Sequence, residues 1–408
     1  MQQATVCVIG LGYIGLPTAA LLASNGYQVI GVDVNQHAVD TINQGRIHIV
    51  EPDLDAYVRS AVTAGRLRAY SSPRVADIYI VCVPTPFHEG AGIPQPNIDY
   101  VLSAARGIAP FVKAGNLVIL ESTSPVGTTQ QMANVLAEMG VDVSSVHVAY
   151  CPERVLPGKI MTELVENDRV VGGLNSEATR KISAFYRTFV KGEVLETEAK
   201  TAEMCKLTEN SFRDVNIAFA NELSVICAGE GINVWDVIKL ANRHPRVKIL
   251  QPGVGVGGHC IAVDPWFIVA RDPENSRLIK TAREVNDQKS EWVIAEIVRR
   301  GSKANAKSGG RLRVACLGLA FKPDIDDLRE SPALHIAEAL LSLGHEVLAV
   351  EPNIRSHERV QLVSLESAIE NADVVAILVG HRQFSQESAR NALIEAGAVD
   401  FCGALKIS

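Results

Sequence analysis

Aromatic side chains supply only 5% of this 408-residue chain, and an excess of positive charge is missing altogether. Lys and Arg number 39 against 46 Asp and Glu, a net charge of −7. Coating nucleic acid calls for the opposite sign, which disfavours that class, although a local basic pocket stays open. The eight cysteines (Cys7, Cys82, Cys151, Cys205, Cys227, Cys260, Cys316 and Cys402) are scattered and make no Cys-x-x-Cys pair. Neither a zinc ribbon nor a disulfide framework fits such spacing, and no metal is expected. No unbroken apolar run reaches about 18 residues, and no charged-then-apolar leader pattern opens the chain. The expectation is a soluble, cytoplasmic protein in a reducing compartment, with most of its thiols packed as small hydrophobes.

Hydrophobic residues make up 47% and charged ones 21%, an ordinary globular mixture. Ala, Val, Ile and Leu dominate the apolar fraction, the lean of parallel-sheet proteins whose strands are buried on both faces. At roughly 150 residues per domain, the length allows two or three domains. Thr5–Ile9 reads as an apolar strand, a glycine turn follows, and a helix over about 14–25 precedes a second strand, Gln28–Val32. Further strands are expected at 77–83, Leu117–Leu120 and 146–149 with helices between them, which predicts a doubly wound domain over 1–196. From 197 onward no Pro or Gly intervenes before Gly229, so one helix of about 30 residues is predicted, a connector or dimerisation spine. Shorter helices at 234–242, 266–270 and 278–300 complete a helical region over 197–300, and 301–310 has linker composition. Strands at 313–319, Glu346–Val350, 373–379 and 399–402, with a helix over 332–343, give 311–408 a second such rhythm without a Gly-x-Gly-x-x-Gly turn. The fold class is α/β: two Rossmann-like doubly wound domains joined by a long central helix and a helical dimerisation domain.

Gly10, Gly12 and Gly15 lie between the first strand and the first helix, and Asp33 ends the second strand. Such glycines permit a tight turn, close backbone approach to a pyrophosphate and tight helix packing, with helix N-terminal amides facing the phosphates. Asp33 would accept from the adenine ribose hydroxyls and repel a 2′-phosphate, which predicts NAD rather than NADP. A second glycine-rich loop, Gly253-Val-Gly-Val-Gly-Gly-His-Cys-Ile261, lacks the Lys and Ser/Thr of a nucleoside-triphosphate loop. It frames Cys260 with small residues ahead of a short helix, a setting that turns a thiol into a nucleophile rather than a core residue. On the long helix Lys206, Asn210 and Arg213 follow at i, i+4 and i+7 on one face. That stripe is either solvated or, at Lys206 and Asn210, an oxyanion site. Thr123 and Glu153 fall in loops after strands, at the edge where open α/β sheets bind ligands, with Glu153 as the acid or base candidate.

Four runs resemble the nucleotide-sugar 6-dehydrogenase family, and the similarity spans the whole chain. They are Gly10-Leu-Gly-Tyr-Ile-Gly-Leu-Pro17, Ala202-Glu-Met-Cys-Lys-Leu-Thr-Glu-Asn210, Gly257-Gly-His-Cys-Ile-Ala-Val-Asp-Pro265 and Phe321-Lys-Pro-Asp-Ile-Asp-Asp-Leu-Arg-Glu-Ser331. The resemblance implies a four-electron oxidation of a sugar C6 alcohol to a carboxylate, using two NAD and a Cys260 thiohemiacetal and thioester. It implies that Lys206 and Asn210 stabilise the oxyanion, that Glu153 is the base for hydrolysis, and that Thr123 and Asp264 position water or Lys206. It adds Tyr13, Ile14, Thr85, Thr123 and Arg329 to the NAD site. To the UDP-sugar site it adds Arg154, Val155, Arg213, His244, Arg246, Gly257, Phe321 and Lys322, with 311–408 covering the diphosphate. For His244 a structural role is as good a reading. The long helix becomes the spine of a homodimer.

Glucose-oxidising members carry Glu-Phe-Leu-Arg-Glu where this chain has Glu153-Arg-Val-Leu-Pro157. The resemblance implies UDP-N-acetyl-D-mannosamine as the substrate, closest at 150–158 and 241–247, with UDP-N-acetyl-D-glucosamine as the alternative, and a uronate product for surface polysaccharide synthesis. Two other classes compete. A two-electron β-hydroxyacid dehydrogenase shares the glycine start and a long lysine-bearing helix but needs no Cys260. A non-catalytic NAD sensor needs none of Lys206, Asn210 and Cys260. Two NADH per substrate, against one or none, separates the three.

Overall fold

The computed structural model describes residues 4–88, 90, 92–258, 260–304 and 311–405, which form two compact units, 1–208 and 209–408. The first unit is built on eight strands: β1 Thr5–Ile9, β2 Gln28–Val32, β3 Leu67–Tyr70, β4 Ile78–Val81, β5 Leu117–Leu120, β6 His147–Tyr150, β7 Arg169–Gly173 and β8 Val194–Glu198. Their order is β3-β2-β1-β4-β5-β6-β7-β8. Every neighbouring pair is parallel except β6 and β7, which run antiparallel with Ala149 opposite Gly173. Alternate residues of β1 serve opposite cores: Val6 and Val8 pack with Leu16, Leu22 and Ile42, while Cys7 and Ile9 pack with Tyr79, Val118 and Met132. Burial on both faces is what the apolar, non-alternating sequence of β1 requires.

Sequence patterning missed β3, β7 and β8. β8 is an edge strand with three of its five residues exposed, and β7 opens on an arginine. Neither has the apolar run that marks a central strand. The strands expected at 77–83 and 146–149 are Ile78–Val81 and His147–Tyr150, and the first helix is Gly15–Ser24.

The second unit carries a four-stranded parallel sheet of order β10-β9-β11-β12, from β9 Arg313–Leu317, β10 Glu346–Val350, β11 Val374–Ile377 and β12 Val399–Asp400. Again the strands face two cores, Val314 and Cys316 on one side and Ala315 and Leu317 on the other. The long helix is Ala199–Glu230, 32 residues, beginning in the first unit and continuing in the second. In the second unit it is tied to the helix Arg277–Ala304 by buried polar contacts. Arg283 Nη1 donates to Asp214 Oδ1 at 2.7 Å, Asn286 Nδ2 to the same oxygen at 2.8 Å, and Asn221 Nδ2 to Asn286 Oδ1 at 2.9 Å.

Two helices outrun their expected limits. The short one is Asp264–Arg271 rather than 266–270, and Arg277–Ala304 runs four residues into the expected linker 301–310. Gly301 is helical because its bare Cα lets the helix approach Leu312, where a Cβ would come within 2.4 Å of Cδ1. Residues 305–310 of that linker lie outside the described residues. Among the described residues no helix is long and apolar enough to cross a membrane.

Candidate active site

At the carboxyl ends of β1 and β2 the glycine turn divides its labour. A Cβ at Gly10 would lie 2.6 Å from the Cys82 carbonyl oxygen, and one at Gly15 would lie 1.8 Å from the Gly10 carbonyl oxygen. These two glycines let the turn press onto its own sheet. A Cβ at Gly12 would meet nothing within 4 Å. Its face is open, as the pyrophosphate of a dinucleotide requires. Ile14 precedes the helix Gly15–Ser24, and Tyr13 packs against the core beneath the turn. Asp33 Oδ2 accepts the Leu11 N–H at 2.9 Å and Oδ1 accepts the Asn35 N–H at 2.8 Å. The carboxylate therefore braces the turn and still has lone pairs to offer ribose hydroxyls. Thr85 Oγ1 donates to the Thr123 carbonyl at 2.6 Å, joining the loops after β4 and β5. These residues fit NAD.

Asp33→Asn keeps an acceptor for Leu11 but loses the charge. NAD affinity is expected to fall about tenfold, with discrimination against NADP reduced. Calorimetric titration of both cofactors checks this, and an unchanged NAD affinity would place the adenosine elsewhere.

Glu153, expected as a loop glutamate, is buried. Its Oε2 accepts from Arg169 Nη1 at 2.8 Å, and both side chains are under a tenth exposed. The same interior holds Glu121, whose two oxygens accept from Tyr186 Oη at 2.6 Å and Cys82 Sγ at 3.3 Å. Burial pushes the Glu121 carboxyl up from its usual range, with the Arg169 charge opposing it. Burial pushes the Cys151 thiol up to about 12. Sequence reasoning singled out Glu153 as a candidate but neither its buried partner Arg169 nor Tyr186. The one available signal was Arg169 directly ahead of Val170 and Val171, since a guanidinium carried into a core needs a carboxylate. Next to Glu153, Arg154 Nη1 donates to the Asp168 carbonyl at 3.2 Å and Val155 packs on the core.

In the second unit the thiol loop is pinned at its base. Asn221 Oδ1 accepts the Gly253 N–H at 2.8 Å, and Ser290 Oγ donates to the Val254 carbonyl at 2.8 Å. The loop then runs flat against its own unit: a Cβ on Gly257 would lie 2.5 Å from the Glu330 carbonyl and 2.9 Å from Phe321 Cβ. Cys260 is exposed, whereas Cys7, Cys151, Cys227 and Cys316 are buried and Cys82, Cys205 and Cys402 partly so. The Cys260 carbonyl accepts the N–H groups of Val263 at 3.0 Å and Asp264 at 2.8 Å, which leads the chain into the helix Asp264–Arg271. The buried Asp264 carboxylate in turn accepts from Asn210 Nδ2 on the long helix. Thiol turn, carboxylate and amide are thereby linked in one place. Lys206, half-buried, precedes Asn210 by one helical turn.

Most of the remaining expected substrate residues, and Arg329 of the expected NAD site, lie in the second unit. Arg213 is exposed on the long helix. His244 and Arg246 are exposed together in one turn, where His244 Nδ1 accepts the Arg246 N–H at 3.3 Å. Lys322 is half-buried beside Phe321, and Arg329 forks onto Asp327 at 2.6–3.1 Å.

A glycine turn open to a pyrophosphate, an acid at the end of β2 and a thiol loop tied to a carboxylate and an amide define an NAD-linked oxidoreductase. The chain belongs to the UDP-glucose/GDP-mannose dehydrogenase family, whose NAD binding domain matches residues 4–190, central domain residues 200–288 and UDP binding domain residues 315–406. It is 59% identical over 403 residues to the UDP-N-acetyl-D-mannosamine dehydrogenase of Escherichia coli K12, covering 94% of this chain and 95% of that protein. It is 55% identical over 395 residues to an NDP-N-acetyl-D-galactosaminuronic acid dehydrogenase of Ralstonia nicotianae, covering 93% and 91%. Among solved structures, the UDP-N-acetyl-mannosamine dehydrogenase of Staphylococcus aureus superposes with a TM-score of 0.88 at 41% identity, over 99% and 96% of the two chains.

Proposed function

We propose that this protein oxidises the C6 alcohol of UDP-N-acetyl-D-mannosamine to the carboxylate in two successive two-electron steps. The observation that carries the reading is the exposed Cys260, on a loop whose turn is bonded to Asp264 and through it to Asn210. Bound NAD supplies the hydride acceptor for both oxidations.

The first oxidation removes a hydride and a proton from C6 and leaves an aldehyde. The Cys260 thiolate adds to that carbon, and the oxygen becomes an alkoxide that the Lys206 ammonium and the Asn210 amide stabilise. Loss of a second hydride from the thiohemiacetal gives a thioester on Cys260. Water then adds to its carbonyl, a base takes the water's proton, and the C–S bond breaks to return the thiolate and release the acid. Overall one alcohol, one water and two NAD⁺ yield one carboxylate, two NADH and three protons. Covalent capture keeps the intermediate aldehyde from escaping. Glu153 is the base, oriented by Arg169 through the ion pair at Oε2. Asp264 orients Asn210, and Thr123 orients water. Phe321 and Lys322 bind the UDP moiety, Lys322 by its charge. The nucleotide-activated uronate that results is suited to donate a sugar to a polysaccharide.

The mannosamine assignment draws on the names of the relatives in Escherichia coli and Staphylococcus aureus, and on Glu153-Arg-Val-Leu-Pro157 standing where glucose enzymes have Glu-Phe-Leu-Arg-Glu. The test is NADH yield and kcat/KM across UDP-N-acetylmannosamine, UDP-N-acetylglucosamine, UDP-N-acetylgalactosamine and UDP-glucose. Two NADH per UDP-N-acetylmannosamine, with that sugar best, is the expected result. UDP-glucose as the best substrate would overturn the assignment, and another N-acetylhexosamine as the best would overturn only the stereochemistry.

The protein acts as a homodimer. Phe212, Phe219 and Ile226 recur every seven residues along one face of the long helix and are 68%, 56% and 57% exposed, a stripe suited to a second copy of itself. Phe219→Asp is expected to shift the mass in light scattering from twice 43.9 kDa to 43.9 kDa. An unshifted mass would place the interface elsewhere.

A further inference from the structure

Within the second unit the side chain of Glu351, just after β10, is fully buried and ringed by donors. It accepts the N–H groups of Leu319 at 2.7 Å, Ala320 at 3.0 Å and Asn353 at 3.0 Å, the Asn353 side-chain amide at 3.1 Å, and His381 Nε2 at 3.0 Å. Burial alone would raise this carboxyl, but the His381 bond and the backbone amides outweigh it and hold it at about 2. The His381 ring is equally buried, edge-on to Phe384. Its other nitrogen, Nδ1, lies 2.9 Å from the Asp324 N–H and 3.1 Å from Asn353 Nδ2. A backbone N–H can only donate, so Nδ1 accepts, and the ring's proton sits on Nε2 facing Glu351.

Asp324 has a left-handed backbone with φ of 63°, and Glu330, six residues on, has φ of 49°. Such conformations persist where the surroundings over-determine them. Here the surroundings are specific: His381 holds the Asp324 amide, and the Asp324 carboxylate accepts Arg382 N and Nε, both at 2.9 Å. The segment 319–331 held this way carries Phe321 and Lys322, and it packs under Gly257 of the thiol loop.

We propose that His381 is a positioning residue for the nucleotide-sugar, holding the strained 319–331 segment through the Asp324 amide so that Phe321 and Lys322 meet the UDP moiety. Glu351 fixes the tautomer that makes this possible, and it anchors the start of the same segment through Leu319 and Ala320. The inference rests on the reading of Phe321 and Lys322 given above.

Two amide replacements separate the ring's two bonds. In His381→Asn the side-chain oxygen reaches the position of Nδ1 and can still accept from Asp324, but nothing replaces the Nε2 donor to Glu351. In His381→Gln the amide nitrogen reaches the position of Nε2 and can still donate to Glu351, but nothing accepts from Asp324. UDP titrated calorimetrically is expected to bind His381→Gln about tenfold more weakly than the parent and His381→Asn within about threefold. The melting temperatures are expected in the reverse order, with His381→Asn the lower, because it strips a donor from a buried carboxylate. A merely structural role would make affinity follow stability. Affinity that tracks melting temperature, or parental affinity in both variants, overturns the inference. Lys322→Gln separates this from the underlying reading: if it binds UDP weakly while both His381 variants bind normally, only the inference falls. If Lys322→Gln binds UDP like the parent, the reading of the segment falls and the inference with it.

Discussion

Replacing Cys260 by alanine is expected to lower carboxylate formation by about four orders of magnitude or more, while NAD affinity stays within about twofold. The asymmetry follows from where the groups sit. The glycine turn and Asp33 belong to the unit 1–208, whereas Cys260 belongs to 209–408 and touches only sugar chemistry in the proposed scheme. No other thiol is suited to take over. Burial pushes Cys7 up to about 11 and Cys316 up to about 12, so these are protonated at neutral pH, and a thiol is a poor nucleophile without deprotonation. Quenched-flow product analysis with UDP-N-acetylmannosamine measures the acid, and fluorescence titration measures NAD. Undiminished carboxylate from the alanine variant would remove the covalent intermediate from the mechanism.

Arg169→Leu is expected to destabilise the first unit by about 3–5 kcal/mol, because it strands a buried carboxylate. Arg169 and Glu153 are 2% and 6% exposed as side chains and share a 2.8 Å contact, so solvent offers the remaining charge little help. Glu121 compounds the effect. Its carboxyl is already raised by burial despite the arginine, and removing that cation raises it further. A raised folded-state value means that the native protein holds a proton the unfolded chain has lost. The contribution of such a group falls as pH rises through and above the ordinary carboxylate range. The deficit in Arg169→Leu should therefore be smaller near about pH 5 than at neutral pH. Urea denaturation at both values checks this. A loss below about 1 kcal/mol at neutral pH would mean that water reaches the pair. Glu153→Leu combined with Arg169→Leu should recover much of the stability and none of the activity, which divides the packing role from the chemical one.

The elements legible in the sequence are those whose cause is local. β1, the glycine turn and the first helix are written in adjacent residues, and an apolar strand, three glycines and an alanine-rich run need no distant partner. The helix Ala199–Glu230 is legible for the opposite reason, an absence of breakers over many turns. β8 is illegible because an edge strand takes its order from hydrogen bonds to β7 rather than from its own apolar content. Helix 277–304 overruns its expected end because Gly301 answers to Leu312, a residue of the following strand region, and not to its own flexible-looking neighbours.

The sequence by itself determined the inventory and the local frames: two doubly wound sheets, a dinucleotide turn, a thiol among glycines, and an amide and an amine on one helical face. Tertiary structure alone decided which of these polar groups meet and which are neutralised. Glu153, an acid or base candidate in a loop, is an ion-paired interior group because β7 brings Arg169 to it, and Asp264 is tied to Asn210, 54 positions away along the chain. His381 gave no signal at all, because its meaning lies in an amide 57 positions upstream. The physical reason is one of range. Periodicity, turn chemistry and helix breaking act between neighbours along the chain and leave marks there. Burial and hydrogen bonding act between neighbours in space, and parallel strands bring distant loops together at one edge of a sheet.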